Sequence, residues 1–175
     1  LLYQMAAGKV PVLIASLDAM TLRTIPRAEL YSAAITLRPG MTLAPEELCQ
    51  RLVRCGYTRA GLVEGVGQFA LRGGILDVFS PAQEQPIRAE FFGDELDAMG
   101  FFDPITQRRT DNLDLALLLP VAECVPQLHP GGIDGLCGDL QRLITKQKRR
   151  KTPNEALIRT LEERGLLGKQ ELYRL

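Results

Sequence analysis

The sequence predicts an α+β fold, in which a small antiparallel sheet is covered by one helix and flanked by pieces of a second, α/β domain. Residues 58–119 form short strand-like runs separated by turns such as Gly73-Gly74 and Gly93-Asp94, and close spacing with short connections is typical of an antiparallel meander. Residues 45–55 repeat apolar side chains at helical spacing. This helix can therefore cover one face of the sheet.

Residues 1–35 are expected to be the end of an N-terminal α/β domain. Residues 1–8 have the pattern of a helix end, and residues 10–16 form a continuous apolar run, which is typical of a buried strand in a parallel sheet. A helical turn is expected at Leu17–Thr21. Because a strand of this kind needs neighbours in a sheet, the chain is expected to be part of a longer protein.

Residues 36–121 are assigned to one α+β domain, entered by a strand expected at 30–37. A helix is expected to begin at Pro45, since proline is favoured at a first helical position, and to end near Cys55, where Gly56 follows it. Its predicted apolar face comprises Leu48, Leu52, Val53 and Cys55. The later predicted strands are 61–66, 68–72, 74–79, 86–92, 96–103 and 115–119.

Residues 122–175 are expected to return to the flanking α/β domain. A helix is expected from Leu136 to about Lys151. A capping-box pattern with Thr152 as the N-cap then predicts a second helix that ends at Gly165.

The end of the helix predicted from Leu136 is basic, and we interpret it as a solvated helix end, because positive charge is favoured near a helix C-terminus. Contact with DNA or an acidic partner is the alternative. The basic residues are Lys146, Lys148, Arg149, Arg150 and Lys151.

The composition argues against several classes of function. The chain has 21 basic and 21 acidic residues, whereas a domain whose main task is to grip nucleic acid usually carries a basic excess. The Gly8-Lys9 pair is followed by Val10, so it lacks the serine or threonine of a phosphate-binding loop. No apolar run reaches the length of a membrane span, and no membrane partner is expected.

No catalytic, metal or cofactor site is expected in this chain. Four acidic residues, Asp77, Glu90, Asp94 and Glu95, lie near one another in the sequence, but no nucleophile–base pair accompanies them. The cysteines and the single histidine, His129, fit no zinc-ligand spacing. We therefore expect the cysteines to be reduced thiols of a cytoplasmic protein. They are Cys49, Cys55, Cys124 and Cys137.

The strand predicted at 86–92 carries the candidate binding surface. Alternation directs one set of side chains to the core, namely Ile87, Ala89 and Phe91, and the other set outward, namely Arg88, Glu90 and Phe92. On the strand predicted at 68–72, Phe69 and Leu71 are predicted inward, and Gln68, Ala70 and Arg72 outward. Arginines and aromatic rings dominate the energetic centres of protein interfaces. Two interpretations stay open: this outward face is an interface, or Phe92 bends inward and the arginines form local ion pairs.

Residues 63–108 read VEGVGQFALRGGILDVFSPAQEQPIRAEFFGDELDAMGFFDPITQR. This run resembles the UvrB-homology region of the transcription-repair coupling factor (Mfd) family, which carries V-E-x-x-G-E/Q-F-A-x-R-G-G-I-L-D-x-F, then R-x-E/D-F-F-G-D-E and F-D-P-x-T-Q-R. A weaker resemblance extends to VLIASLDAM near the start of the chain and to ALIRTLEERGLLGKQELYRL at its end. The chain departs from the family in turns, with Ser80 for a usual proline and Gly65-Val66 for Glu-Pro.

The excision-repair helicase subunit UvrB shares this module and is the alternative. Its version reads G-T-F-R-V-R-G and F-D-P-L-T-G, and a tyrosine–glycine motif follows its serine strand. Here Ser16 is followed by LDAMTLRTIP, and the later motif is TQRR. These details favour the coupling factor family. A helicase fragment that touches DNA would need a phosphate loop and a basic, aromatic hairpin, and neither is visible in the sequence.

The resemblance implies a docking module without catalysis, similar to the second domain of UvrB and flanked by a degenerate helicase-like domain. The parent protein would be an ATP-driven translocase that recognises stalled RNA polymerase and recruits UvrA. Its ATP, polymerase and DNA sites would lie in other domains, so this chain needs no cofactor. Another domain of the parent would mask the docking face until polymerase is engaged.

The family's docking residues map onto Arg72, Arg88 and Phe92, with Glu90 as a further candidate on the same face. The arginines would meet acidic groups of UvrA, and Phe92 would be the buried anchor. We expect Phe92→Ala or Arg88→Glu to weaken UvrA binding while leaving the fold intact.

Overall fold

A computed structural model of the chain describes residues 2–21, 24–122 and 128–162. The chain divides into two compact units, Leu1–Cys124 and Val125–Leu175. The first unit contains α1 (Leu2–Ala6), α2 (Leu17–Thr21), α3 (Arg27–Ala33), β1 (Ile35–Leu37), α4 (Pro45–Arg54), β2 (Thr58–Arg59), β3 (Gln68–Arg72), β4 (Ile75–Val78), β5 (Ile87–Phe92), β6 (Glu95–Phe102), β7 (Arg109–Asn112) and β8 (Ala116–Leu118). The second contains α5 (Gly132–Lys148) and α6 (Glu155–Thr160).

The predicted α+β class and antiparallel meander are confirmed. Six strands form one sheet in the order β2-β3-β4-β5-β6-β7. Only the short β2–β3 pair is parallel, and every other neighbouring pair in this sheet is antiparallel. Strands β1 and β8 form a separate antiparallel pair. That the flanking segments derive from a helicase-like domain stays a prediction.

Helix α4 follows its sequence signals closely. Pro45 is its first residue, and Gly56 after its end has φ +85°, the left-handed conformation that favours glycine. The helix contacts β2 and β3 and buries Pro45, Leu48, Cys49 and Leu52. The prediction was wrong for Val53, which is 43% exposed, because five residues at 100° each carry it about 140° around the helix from Leu48.

Three predicted strands differ from the observed elements. Residues 10–16 form no strand, and Ile14 is 95% exposed, because no strand in the described parts of the chain pairs with this apolar run. Residues 30–37 begin as the end of α3, whose buried Leu30 and Ala33 lie one turn apart. Residues 61–66 are turns and bends around Gly61 and Gly65, and the strand before β3 is the two-residue β2.

Strand β7 was missed because its sequence, RTDN, carries no apolar signal. It is an edge strand, whose side chains face solvent and need no apolar residue. In the second unit, α5 begins four residues before the predicted Leu136. Asn154, not Thr152, is the N-cap of α6, because its Oδ1 accepts the Leu157 N–H at 3.0 Å. The predicted helix end at Gly165 lies outside the described residues.

Two buried hydroxyls join β8 to the rest of the first unit. Tyr57 donates a hydrogen bond to the Leu119 carbonyl at 2.7 Å, and burial raises the pKa of its phenol. Ser80 donates to the Leu117 carbonyl at 3.3 Å and accepts the Leu119 N–H at 3.2 Å. Proline at position 80 could not make these hydroxyl bonds, so the serine has a structural role here.

Within the described ranges, no helix combines the length and the apolar content needed to cross a membrane.

Candidate protein-binding face

One face of the six-stranded sheet is apolar and the other is charged. The strand alternation is confirmed for β5: Ile87, Ala89 and Phe91 are buried, whereas Phe92 is exposed. The strand register aligns Asp77 with Arg88, and it aligns Arg72 with Ile75 and Ile75 with Glu90. We call this outward surface the charged face; it comprises Arg72, Ile75, Asp77, Arg88, Glu90 and Phe92.

Asp77 is the centre of the charged face. Its side chain is only 1% exposed, yet both of its oxygens accept hydrogen bonds from arginines. Arg88 binds it at two points, from Nε to Oδ1 at 2.7 Å and from Nη2 to Oδ2 at 2.9 Å. Arg72 adds a bond from Nη2 to Oδ2 at 2.7 Å. A buried carboxylate is costly unless it is paired and hydrogen-bonded, and these two arginines provide the pairing.

Arg88 is held on several sides. Its Nη1 donates to the Gln107 carbonyl at 3.0 Å and its Nη2 to Gln107 Oε1 at 3.3 Å. Its guanidinium lies 4.6 Å from the centroid of the Phe102 ring, a cation–π geometry. Hydrogen bonding to Asp77 raises the pKa of Arg88. Only 15% of the side chain is exposed, so Arg88 braces the sheet as well as lining its face.

The loop that carries Gln107 is ordered by Asp103. Asp103 Oδ1 accepts the N–H groups of Ile105 at 2.7 Å and Thr106 at 3.2 Å. These backbone hydrogen bonds lower the pKa of the Asp103 carboxyl. Gln107 itself has φ +59°, which is uncommon for a residue other than glycine. The turn thus directs both the carbonyl and the side-chain oxygen of Gln107 to Arg88.

Arg72 is more open than Arg88. Its side chain is 44% exposed, and its bond to Asp77 is the single side-chain hydrogen bond that the described part of the chain gives it. One end of the guanidinium is therefore fixed, while its other N–H groups can reach a partner.

Phe92 projects from the end of β5 and is 85% exposed. The two-residue turn Gly93-Asp94 follows it, with Gly93 at φ +60°. The adjacent β3–β4 hairpin turns at Gly73-Gly74, and the Phe91 N–H donates to the Gly74 carbonyl at 2.7 Å. A Cβ on Gly74 would lie 2.5 Å from the Phe91 carbonyl oxygen. Glycine at this position therefore lets the two hairpin turns meet at one end of the sheet.

Glu90 is paired with Arg109 of β7. Arg109 Nη1 donates to Glu90 Oε1 at 2.9 Å, and its Nη2 donates to the Met99 carbonyl. The Arg109 side chain lies against Gly100, where a Cβ would collide with its Nε. That Nε is buried and has no hydrogen-bond partner within the described residues. Glu90 is thus partly neutralised, which leaves Phe92 and Arg72 as the most accessible groups of the charged face.

The structure confirms one half of the second interpretation of the outward strand face and contradicts the other half, while the interface itself stays a prediction. The arginines do form local ion pairs, with Asp77 between them. Phe92, however, does not bend inward. Ala70 was predicted to point outward into solvent and is instead 1% exposed, because Val63 and Phe102 pack with it in a small apolar cluster. That cluster limits the accessible part of the charged face to the end near Phe92.

Sequence reasoning did not assign a role to Asp77, Phe102, Gln107 or Arg109. Asp77 interrupts an apolar strand, ILDVF, and this signal could have identified it as a buried, paired carboxylate. The contacts of Gln107 depend on the turn before β7, which the apolar pattern does not reveal. The basic run predicted on α5 lies in the second unit, where Lys148 pairs with Glu162 at 2.6 Å.

Comparison with known families matches residues 35–123 to a family described as the UvrB interaction domain. The chain is also similar to proteins named transcription-repair-coupling factor. Identity is 39% over 123 residues with the protein of Myxococcus xanthus, covering 70% of this chain and 10% of that protein. It is 31% over 149 residues with that of Bacillus subtilis (strain 168), covering 81% and 13%. It is 33% over 122 residues with that of Escherichia coli (strain K12), covering 70% and 11%.

The chain thus spans about a tenth of the length of the curated relatives it matches. The family match covers just over half of the chain and contains the whole six-stranded sheet with its charged face. This protein therefore belongs to the UvrB interaction domain family.

Proposed function

We propose that this chain is a docking module of a transcription-repair coupling factor, and that it binds UvrA through the charged face. The observation that carries the proposal is Phe92, a large aromatic ring that is 85% exposed on the same sheet face as the partly exposed Arg72. Aromatic and arginine side chains are the commonest anchors of protein interfaces. The family description and the names of the relatives support this direction.

In the proposed complex, Phe92 enters an apolar pocket of UvrA and Arg72 pairs with an acidic group beside that pocket. Arg88 supports the face and contributes through its exposed edge. Both hairpin turns are short and hydrogen-bonded, so little backbone ordering is needed on binding. The action is docking and involves no catalytic step or cofactor in this chain.

The wider setting is also a proposal. The docking domain is assigned to residues 36–121, with 1–35 and 122–175 as parts of a flanking α/β domain of a cytoplasmic parent protein. Other parts of that parent would use ATP, contact DNA and recognise stalled RNA polymerase. A further domain of the parent would cover the charged face until UvrA is needed, because one exposed aromatic surface can serve both contacts.

Calorimetric titration of UvrA with the chain and with Phe92→Ala tests this proposal. Loss of an interface anchor commonly costs about 2 kcal/mol, so we expect Kd to rise roughly thirtyfold. Because Phe92 is mostly exposed, the urea midpoint is expected to stay unchanged. Val53→Ala, which trims an exposed apolar side chain on α4, is the matched control. An unchanged Kd for Phe92→Ala, or an equal loss for Val53→Ala, would contradict the proposal.

A second control addresses non-specific electrostatics. Lys146 lies on α5, Arg149 is the C-cap residue of that helix, and both belong to the second unit, whereas the charged face belongs to the first. The double variant Lys146→Glu/Arg149→Glu removes positive charge without touching Arg72. We expect its affinity for UvrA to match that of the unaltered chain. A loss as large as that of Phe92→Ala would place the contact on α5 instead.

A further inference from the structure

Asp77 lies at the centre of the charged face but cannot contact a partner, since it is 1% exposed. We infer that Asp77 is a positioning residue for docking: its carboxylate holds Arg72 in the orientation that receives an acidic group of the partner. This inference rests on the proposed docking function and adds to it the residue that aligns the contact and the chemistry of what is contacted.

The two arginines have different roles because they use different numbers of N–H donors within the chain. A guanidinium has five N–H donors. Arg88 uses Nε, Nη1 and both hydrogens of Nη2 on Asp77 and Gln107, which leaves one N–H for a partner. The Arg72 side chain uses a single donor, to Asp77. Arg72 therefore has the free, two-point geometry that matches a carboxylate, and Arg88 does not.

Asp77 also fixes where Arg72 points. A long, exposed arginine on a strand samples many rotamers, and ordering it on binding weakens affinity. The 2.7 Å bond to a carboxylate that is itself clamped by Arg88 removes much of that freedom in advance. Arg88 is in turn held in place by its hydrogen bonds to Gln107 and by its contact with the Phe102 ring.

The positioning role and simple charge attraction give opposite outcomes for Asp77→Asn. The triad of Arg72, Arg88 and Asp77 carries one net positive charge, and removal of the carboxylate raises it to two. Charge attraction alone then makes an acidic partner bind more tightly. Positioning makes it bind more weakly, because asparagine offers one acceptor oxygen in place of the two that hold the three arginine bonds, so Arg72 loses the carboxylate that fixes its direction.

The test is titration of UvrA with Asp77→Asn at low and moderate salt, with folding checked by urea unfolding. We expect binding roughly tenfold weaker than that of the unaltered chain, within the range for residues that share one hydrogen-bond network. In an Arg72→Ala background, Asp77→Asn is expected to have less than about a threefold further effect. Unchanged or tighter binding of Asp77→Asn, or an equal loss in both backgrounds, would overturn the inference.

Arg72→Lys keeps the test decisive if Asp77→Asn is poorly folded. Lysine retains the charge but lacks the planar guanidinium, whose several N–H donors can bind Asp77 and a partner carboxylate at the same time. We expect Arg72→Lys to bind UvrA as weakly as Arg72→Ala, within about threefold; binding like the unaltered chain would overturn the inference. If Phe92→Ala also left affinity unchanged, the docking function itself would fail. A loss for Phe92→Ala with none for Arg72→Lys would reject the positioning role alone.

Discussion

Removal of Arg88 tests the brace around Asp77 independently of any partner. Arg88→Ala takes away both of its bonds to a carboxylate that is 1% exposed, together with the contacts to Gln107 and Phe102. Breaking a fully buried ion pair by removing one partner costs about 3–5 kcal/mol. Arg88 is 15% exposed and Asp77 keeps its bond to Arg72, so a cost at or somewhat below the lower end of that range is appropriate. We expect a loss of about 2–3 kcal/mol in the free energy of unfolding.

Arg72→Ala is the matched control, since it removes the other arginine of the same carboxylate. Arg72 is 44% exposed and contributes one bond, so its removal is expected to cost only about 0–1 kcal/mol. Urea unfolding followed by far-ultraviolet circular dichroism measures both variants. A cost of less than about 0.5 kcal/mol for Arg88→Ala, the range of ordinary surface changes, or an equal cost for Arg72→Ala would contradict the structural role of Arg88.

This geometry revises one expectation drawn from the sequence. Arg88→Glu was expected to weaken docking while leaving the fold intact. In the structure, a glutamate at position 88 would place a second carboxylate beside buried Asp77, and a like charge there is unfavourable. We now expect Arg88→Glu to destabilise the domain, so Phe92→Ala is the cleaner test of docking.

Three further outcomes follow from the described contacts. Gly74→Ala is expected to cost about 1–3 kcal/mol in urea unfolding, because its Cβ would collide with the Phe91 carbonyl; an unchanged midpoint would contradict the packing of the two hairpins. Asp103 is expected to titrate below 3.8 by NMR, so the stability it contributes above that pH is lost as the pH falls through its lowered pKa; titration at or above 3.8 would contradict its hydrogen bonds. Burial raises the pKa of the Cys49 and Cys55 thiols, and both are expected to react with iodoacetamide at least roughly tenfold more slowly in the folded chain than in urea, measured by mass spectrometry.

The core of the sheet could be predicted from the sequence because its signals are local. Gly73-Gly74 and Gly93-Asp94 mark two-residue hairpin turns, and the alternation between them assigns each side chain to a face. Strand β3 has the predicted bounds, and β4, β5 and β6 differ by one residue at one or both ends. Alternation also placed Phe92 on the outward face, but whether its ring bends inward was decided only by the structure, in which it is 85% exposed.

The remaining features depend on contacts between distant parts of the chain. Alternation placed Ala70 on the outward face, but Val63 from a preceding loop covers it. Arg88 is held by Gln107, 19 residues later, through a turn that no periodicity reveals. The apolar run at 10–16 has a strand composition without a paired neighbour in the described residues. The sequence pattern thus predicted the local structure that these residues favour, but not the distant residues that they contact.

Amide hydrogen exchange of the chain, alone and with UvrA, tests the central claim most directly. If the charged face is the docking surface, exchange is expected to slow at residues 72–75 and 92–95, where the two hairpin turns meet beside Phe92. Exchange in α5 is expected to stay the same. Protection confined to α4 or α5, with none at either hairpin turn, would contradict the account.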